Sequence, residues 1–452
     1  MLVTVLILSG CVPTFSSPRP LQLLKDHLAA NPAMAIDTNG TKHYVWAECV
    51  TSNACSIIYH RTKVGETALR FQLTPPEGER YETPDIAVAE GGQVFIVWRS
   101  HSINVGTPPY HDFYITMPVT ATIPPDRQEL MAPETISAAP PLLYARSSTV
   151  YAIFSATTDS LSFTPNGLHY VQLSGGSRKG SISLSAQNVN ANYAPSLAID
   201  PQGNLHVAWL EKSLVDNSLK IHYSSNINVS AAMPASKFIT VPGTTRSPLL
   251  LLAPDGTTYI ATIYTTAMGS NEQINVFKKT AAGSSFTSTL AQLPGTWQID
   301  GDLYGTVIDS LPRFVFAAAN TEVATHQIWF LSSLSYPPKR ITTTNSEHGD
   351  AHIVKMTLDS GDTIPIVAWR SYTVTVADER CYGNTYVSIY PMSTVKQVAT
   401  GQGACSNEGS DIAVAGKWIG GIWVDNLSPQ AQQHIPWISF NGHITHIPFV
   451  QR

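Results

Sequence analysis

The residues best suited to chemistry in this 452-residue chain are carboxylates and imidazoles that stand just ahead of short apolar runs. Asp300 and Asp302, then Glu347 and Asp350, then Glu408 and Asp411 fall in three successive stretches of this kind. Brought together, such carboxylates suit a hard divalent cation such as calcium. Two at a suitable separation suit hydrolysis of a glycosidic bond, and dispersed they are solvated loop acids. His348-x-Asp350-x-His352 alternates, and alternate side chains of an extended strand leave on one side. The expected metal set is therefore Asp300, His348, Asp350, His352 and Asp411, holding calcium or another divalent ion, with proton transfer by imidazole and carboxylate as the other use. A strand histidine satisfied by backbone is the competing reading of His352. Trp-Arg-Ser occurs twice, at Trp98-Arg99-Ser100 and Trp369-Arg370-Ser371. Guanidinium forks pair bidentately with carboxylates, so Arg99 and Arg370 are either structural ion pairs or clamps for an acidic sugar or a peptide carboxylate.

These residues belong to a pattern that repeats along the chain. Its clearest copies are PAMAIDTNGTKHYVW from Pro32, PDIAVAEGGQVFIVW from Pro84, PSLAIDPQGNLHVAW from Pro195 and PLLLLAPDGTTYIAT from Pro248. Aligning all copies on the residue that ends the second apolar run gives Trp46, Trp98, Phe154, Trp209, Thr262, Phe316, Trp369 and Trp423, at spacings of 52 to 56 residues. Each copy reads as a strand, a Gly-containing tight turn and a second strand, which is a hairpin signal because glycine supplies positive φ. Two further strand-like runs follow, such as KIHYS and KFITV in the fourth copy, and His434–Phe440 and His443–Val450 in the last. Helical periodicity is confined to a possible turn at 21–30. Second strands such as VFIVW and IPIVAW are apolar on both faces, the signature of strands covered on both sides. Charge is scarce at 13% against roughly 25% in ordinary domains, which fits an array of buried strands. A net charge of −5 without a long basic run argues against nucleic acid as the main partner.

Four-stranded units repeated in this way resemble the blades of a β-propeller. The expected fold is all-β: a single eight-bladed propeller of four-stranded blades over residues 31–452, in repeats of about 54 residues. Seven blades would require the sixth copy to be false. The hairpin pattern is similar to those of sialidase-like secreted propellers, although their Asp boxes do not occur here. The quinoprotein tryptophan motif and the Trp-Asp of WD repeats are also missing, and nothing supplies haem ligation. The resemblance implies that loops leading into first strands and leaving second strands share one face around the channel mouth. That face would gather Glu48, Arg99, His101, Glu211, Lys212, Arg370 and Asp425 with Tyr81, Glu82, Asp85, Tyr193, Arg246 and Trp297, beside the acids named above. The binding set is Glu48, Arg99, His101, Tyr193, Glu211, Arg246, Trp297, Arg370 and Asp425, with Tyr81, Tyr193 and Trp297 as stacking faces for sugar rings or as packing. DTNG, APDGT and LDSGD in the hairpin turns look like calcium loops, but turn chemistry accounts for them.

At the start, the apolar run Leu2–Leu8 is followed by Leu8-Ser9-Gly10-Cys11. This resembles the lipobox of bacterial lipoproteins, which implies a signal segment over 1–10, acylation of Cys11, a linker over 11–30 and a location outside the cytoplasm, at the cell surface or in the periplasm, held to the membrane by lipid. The other four cysteines form two local pairs, Cys49 with Cys55 and Cys381 with Cys405. They read as two loop disulfides, with zinc as the competing use and no C-x-x-C to favour it. Three functions follow: a lipid-anchored protein that binds a glycan, a peptide or a partner subunit; a carbohydrate-active enzyme using paired carboxylates at the channel mouth; and a structural subunit of a surface assembly.

Overall fold

The computed structural model describes residues 14–15, 19–20 and 28–443, apart from 52–53, 64, 104–109, 131–135, 138–139, 147, 158–166, 175–176, 184–189, 214, 228–236, 242–243, 266–270, 343, 358–362, 375–379, 390–393, 400–403, 406–409, 416–417 and 427–433. Among these residues every regular element is a strand, and the strands form eight antiparallel sheets of four or five members. The sheets follow one another along the chain as blades 1 to 8. Their inner strands are Leu28–Ile36, Glu79–Ala89, Leu142–Arg146, Asn190–Ile199, Leu249–Leu252, Trp297–Ile308, Glu347–Thr357 and Ser410–Ala415. Each inner strand packs against the next, and that of blade 8 packs against that of blade 1, so the ring is closed. The protein is an all-β propeller. The sixth repeat, which a count of seven would discard, forms a complete sheet from Trp297–Ile308 to Lys339–Arg340.

Closure differs from the expected pattern. The fourth strand of the last copy was expected over 443–450, but His443 ends the third strand, His434–His443, and 444–452 lie outside the described residues. The outer position of blade 8 is taken by Thr14–Phe15 and Arg19–Pro20, which pair with His434–His443. Residues 12–30, a linker that the sequence left open as a source of a closing strand, thus supply strands to the edge of blade 8, and Leu28–Ala30, in a stretch with a possible helical turn, starts the first strand of blade 1.

Both-face burial explains why these segments form blades. Val94 to Trp98 in blade 2 are fully buried. Val94, Ile96 and Trp98 pack with Val45, Ala47, Ile57 and Tyr59 of blade 1, whereas Phe95 and Val97 pack with Val150, Ala152 and Phe154 of blade 3. The period-two alternation of a strand therefore divides one run between two neighbouring blades. The aligned aromatic has a second task. It stacks on a ring directly opposite on the third strand: Trp98 on Phe113, Phe154 on His169, Trp209 on His222 and Trp369 on Tyr386, with interplanar angles of 24°, 6°, 23° and 17°. In blade 5 the pair is Thr262 and Asn275, and the Thr262 hydroxyl instead donates to the Arg246 carbonyl at 2.9 Å.

The Gly-containing turns are held by their own aspartates. Asp37 accepts the N–H groups of Asn39 and Thr41, and Asp200 those of Gln202 and Asn204, at 2.8–2.9 Å. Gly40 and Gly203 take φ of 78° and 85° there. These carboxylates serve the turns, which is turn chemistry rather than calcium chemistry. In both blades a histidine joins turn to sheet: His43 Nδ1 bonds the Tyr59 hydroxyl at 2.7 Å and His206 Nδ1 the Tyr223 hydroxyl at 2.6 Å. Cys49 and Cys55, opposite one another on neighbouring strands of blade 1, form a disulfide. The register also sets Cys381 opposite Cys405, though their side chains lie outside the described residues.

Because Trp98 fills a site between blades 1 and 2, Trp98→Ala should lower stability by about 3–5 kcal/mol. Denaturant unfolding followed by fluorescence and circular dichroism checks this; a loss below about 1 kcal/mol would refute the stacking role.

Candidate functional site

The inner strands carry a shared irregularity that builds the site. Their register slips between Ala30 and Ala33, Glu82 and Asp85, Tyr193 and Ser196, Asp300 and Tyr304, and Gly349 and His352. Within these bulges Asn31, Thr83, Gly301 and Asp350 take positive φ of 48°, 45°, 67° and 51°. Bulges re-aim side chains, and a β-branched residue such as Thr83 takes this conformation only when its surroundings enforce it. In these five blades the residue just beyond the bulge pairs with the one preceding the aligned aromatic, and blades 3, 5 and 8 have a residue in the same register without a bulge. Around the axis these positions are Ala33, Asp85, Leu142, Ser196, Leu249, Tyr304, His352 and Asp411.

Between blades 6 and 7 lies a cavity of about 170 Å³ lined by Asp300, Gly301, Asp302, Tyr304, Ala317, Asp350 and Ala351. Asp350 Oδ1 lies 3.1 Å from His352 Nε2, and the Tyr304 ring lies 4.5 Å from the imidazole, centre to centre. The Tyr372 hydroxyl reaches Asp300 Oδ2 at 3.5 Å. Gly349 sits under Tyr372, where a Cβ would come within 3.0 Å of the ring. From blade 5, Arg246 donates to the Gly301 carbonyl at 2.6 Å and also to Glu272, which in turn accepts the Ile299 N–H. These contacts fix the wall that carries Asp300 and Asp302.

The charges beside the cavity are coupled. Burial disfavours a charged His352, but the hydrogen bond it donates to Asp350 and the negative charges of Asp350 and Asp411 outweigh it and raise the imidazole above its ordinary value. Burial raises the Asp411 carboxyl; the Met34 N–H, the His352 charge and the Ile412 N–H oppose this, and Asp350 adds to it. Across blade 1, burial and Asp411 push Asp85 up to about 7 against the N–H groups it accepts. His352 is thus a base set among carboxyls.

Several residues expected on the binding face are employed inside the blades. Glu48, 3% exposed, accepts from Trp46 Nε1 at 3.2 Å and from Arg70 at 2.7 Å. Arg99 lies against Asp112, directly opposite, at 3.6 Å and over the Tyr110 ring at 4.6 Å. His101 faces Glu82 at 3.7 Å and meets Tyr110 edge-on. Arg370 is 1% exposed between the registers of Gly349 and Thr385. Of the two readings of Arg99 and Arg370, structural ion pair or clamp, the burial of both guanidinium groups in their own blades favours a structural role. Trp297, 1% exposed, packs edge-on against Trp329 and Phe316 and bonds the Pro294 carbonyl, so it offers no ring face to a sugar. Glu211 pairs with His222 at 3.3 Å. The side chains of Tyr193 and Asp425 lie outside the described residues, as does Cys11.

The expected metal set is also corrected. The bulge between Gly349 and His352 breaks the alternation, so His348 does not join Asp350 and His352. His348 is buried, its Nε2 bonds the Thr344 hydroxyl at 2.7 Å, its ring meets Tyr386, and burial lowers its pKa to about 4. Among the described residues no group of three or more His, Cys, Asp or Glu is placed to hold a metal ion. Tyr304 and Tyr372 were missed from sequence. Tyr304 shares the repeat position of Asp85 and His352, but the longer bulge from Asp300 displaced it from the alignment.

No family model and no curated protein matches the chain. Among solved structures it is similar to an ulvan lyase of a new polysaccharide lyase family, with 11% identity, a TM-score of 0.49 and coverage of 82% of this chain and 95% of that one. It is also similar to the β-propeller domain of the trilobed protease from Pyrococcus furiosus, with 8% identity, a TM-score of 0.46 and coverage of 84% and 97%. An α-L-arabinanase from Penicillium chrysogenum complexed with arabinobiose gives 12% identity, a TM-score of 0.40 and coverage of 72% and 100%. At these identities and TM-scores the likenesses transfer no site or activity to this chain.

His352→Gln should remove the counter-charge of Asp350 and Asp411 and destabilise the protein by about 1–3 kcal/mol. A folded pKa above the unfolded value gives stability that is fully present below about 6.5 and is lost as pH rises through the folded value. The deficit of the variant should therefore be largest near pH 6 and shrink on going alkaline, as thermal unfolding across pH would measure. A deficit that grows with pH would contradict the assignment.

Proposed function

We propose that the protein is a lipid-anchored propeller outside the cytoplasm that binds a neutral or basic glycan at the mouth between blades 6 and 7. The observation that carries this reading is the cavity in which Asp300, Asp302 and Asp350 stand with Tyr304. Carboxylates accept hydrogen bonds from sugar hydroxyls, and Tyr304 adds an aromatic edge to the wall. The same lining opposes acidic sugars, phosphate groups and nucleic acid, because like charges repel across an interface. The guanidinium groups that would have received a carboxylate, Arg99 and Arg370, are enclosed in their blades. The Cys49–Cys55 disulfide supports an oxidising compartment. The lipobox-like run ending at Cys11 supports a cleaved segment over 1–10 and acylation at Cys11.

A second reading, glycoside cleavage, is favoured by the Asp350–His352 pair. A carboxylate bonded at 3.1 Å to an imidazole is a conventional arrangement for moving a proton, and Asp300 beside the same cavity would supply a second carboxyl.

Calorimetric titration with neutral, amino and uronic acid oligosaccharides separates these outcomes. A neutral or amino oligosaccharide should bind, the uronic series should not, and Asp300→Asn with Asp350→Asn should weaken binding by about tenfold or more, or roughly 1.4 kcal/mol. Preference for the uronic series, or binding untouched by both substitutions, sinks the proposal. Release of reducing ends by wild type but not by Asp350→Asn would favour the enzymatic reading. Cys11→Ser should move the protein from the membrane to the soluble fraction; membrane association that persists rules out the anchor.

A further inference from the structure

The ring has two unlike ends. Inner strands start at the mouth, where Asp300 and Asp350 line the cavity, and finish at the hairpin turns. In blade 6, Ala317 of the cavity wall stands six residues along the second strand from Leu311 at the turn, about 20 Å away.

The N-terminal strands enter from the turn end. In blade 8 Ala415 pairs with Trp418 across the turn, Trp418 pairs with His443, and His443 pairs with Thr14. The chain then runs toward the mouth, with Arg19 opposite Ile438 and Pro20 opposite Trp437. Cys11 precedes Thr14 by three residues, which reach at most about 11 Å. A lipid on Cys11 would therefore hold the turn end of blade 8 close to a bilayer, with the cavity at the far end.

Charge and apolar exposure divide in the same sense. Near the turns of blades 5, 6 and 7 stand Lys278, Lys279, Arg313 and Lys355, in register with Tyr259, Thr258, Thr306 and Pro365. Lys278 and Lys355 are exposed. Among the described residues the acids at these turns are Asp255 and Asp309. The mouth end of the same blades carries Glu272, Asp300, Asp302, Glu347 and Asp350 instead. Leu311, at the turn of blade 6, is 48% exposed, and Tyr336, in the connection from Gln327–Leu331 to Lys339–Arg340, is 68% exposed. Lysine and arginine attract anionic headgroups, while leucine and tyrosine enter the boundary between headgroup and acyl chain.

We propose that the turn end of blades 5 to 8 is a membrane-facing surface that rests on anionic lipid headgroups, so that the cavity mouth points away from the bilayer. The tether rests on the reading of Cys11 as an acylated residue; the cationic and apolar surface does not. This orientation leaves the mouth open to a glycan arriving from beyond the membrane.

The full acylated chain in phosphatidylcholine vesicles with about one quarter phosphatidylglycerol and a nitroxide-labelled lipid tests the orientation. A fluorophore on Tyr336→Cys should be quenched, and one on Glu322→Cys, exposed at the mouth end of the same blade, should not. Equal quenching, or the reverse order, overturns the proposal. A second measurement needs no lipid on the protein. The full chain as Cys11→Ser should bind the phosphatidylglycerol vesicles better than pure phosphatidylcholine, and Lys278→Glu with Lys355→Glu should weaken that binding by about tenfold. Binding without lipid preference, or untouched by the two substitutions, refutes the surface, as does a dimer in solution that the same substitutions dissolve. If Cys11→Ser leaves membrane association unchanged while the lipid preference holds, the anchor reading fails and the surface stands.

Discussion

The structure depends on strands that cannot be satisfied by one neighbour. A second strand such as Val94–Trp98 sends Val94, Ile96 and Trp98 toward blade 1 and Phe95 and Val97 toward blade 3. A single sheet with two apolar faces is unstable in water, and a stack of such sheets merely moves the exposed face to its ends. Closing the stack into a ring removes the ends. The join of blade 8 to blade 1 is therefore where the apolar faces left by a linear array are covered. It is reinforced by the bond that the Met34 N–H donates to Asp411 and by the N-terminal strands added to the edge of blade 8.

Ring closure also governs the charges. Interfaces on both sides of each blade leave little room for ionised groups, and apart from exposed pairs such as Lys63 with Glu66 two populations stand out. One is internal: Glu48 with Arg70, Arg99 with Asp112, and Glu272 with Arg246 join strands or neighbouring blades. The other lies along the axis and its mouth, where Asp85, Asp350, His352 and Asp411 influence one another. The cavity between blades 6 and 7 is lined by Asp300, Asp302 and Asp350, and that gives its mouth a negative character.

Blade architecture was legible because it rests on periodicity. A spacing of 52 to 56 residues between aligned aromatics and apolar runs without alternation suffices to specify stacked hairpins. The site was legible only in part. Asp300, Asp350, His352 and Asp411 could be picked out by charge, since carboxylates are rare in this chain. Their mutual arrangement was hidden because it depends on a bulge, and a one-residue slip exchanges the two faces of a strand. The slip in blade 7 separates His348 from its expected partners, and the slip in blade 6 sets Tyr304 at the repeat position of His352. Arg99 and Arg370 misled for a related reason. A residue at the end of a second strand can turn outward to the loops or lie back along its blade, and the choice is made by cross-strand partners such as Asp112 and Tyr110, which belong to another strand of the sequence.

Internal symmetry then shows where to look for function. At the inner-strand position that pairs with the residue before the aligned aromatic, a strict repeat would place the same residue eight times, and two solutions suffice for packing alone: a small or aliphatic side chain, as in Ala33, Leu142 and Leu249, or a neutral hydrogen-bond acceptor, as in Ser196, whose Oγ accepts the Leu250 N–H. Four blades depart from both, and they carry Asp85, Tyr304, His352 and Asp411. Three of the four are consecutive, in blades 6, 7 and 8, and the cavity opens between the first two. Ionisable groups drawn partly out of water lower stability unless they meet a partner. Their concentration on one side of the ring is therefore not a by-product of the fold, which blades 1, 3, 4 and 5 complete without them. The fold supplies the ring, and the departures from its repeat mark the sector that distinguishes this protein from a bare scaffold.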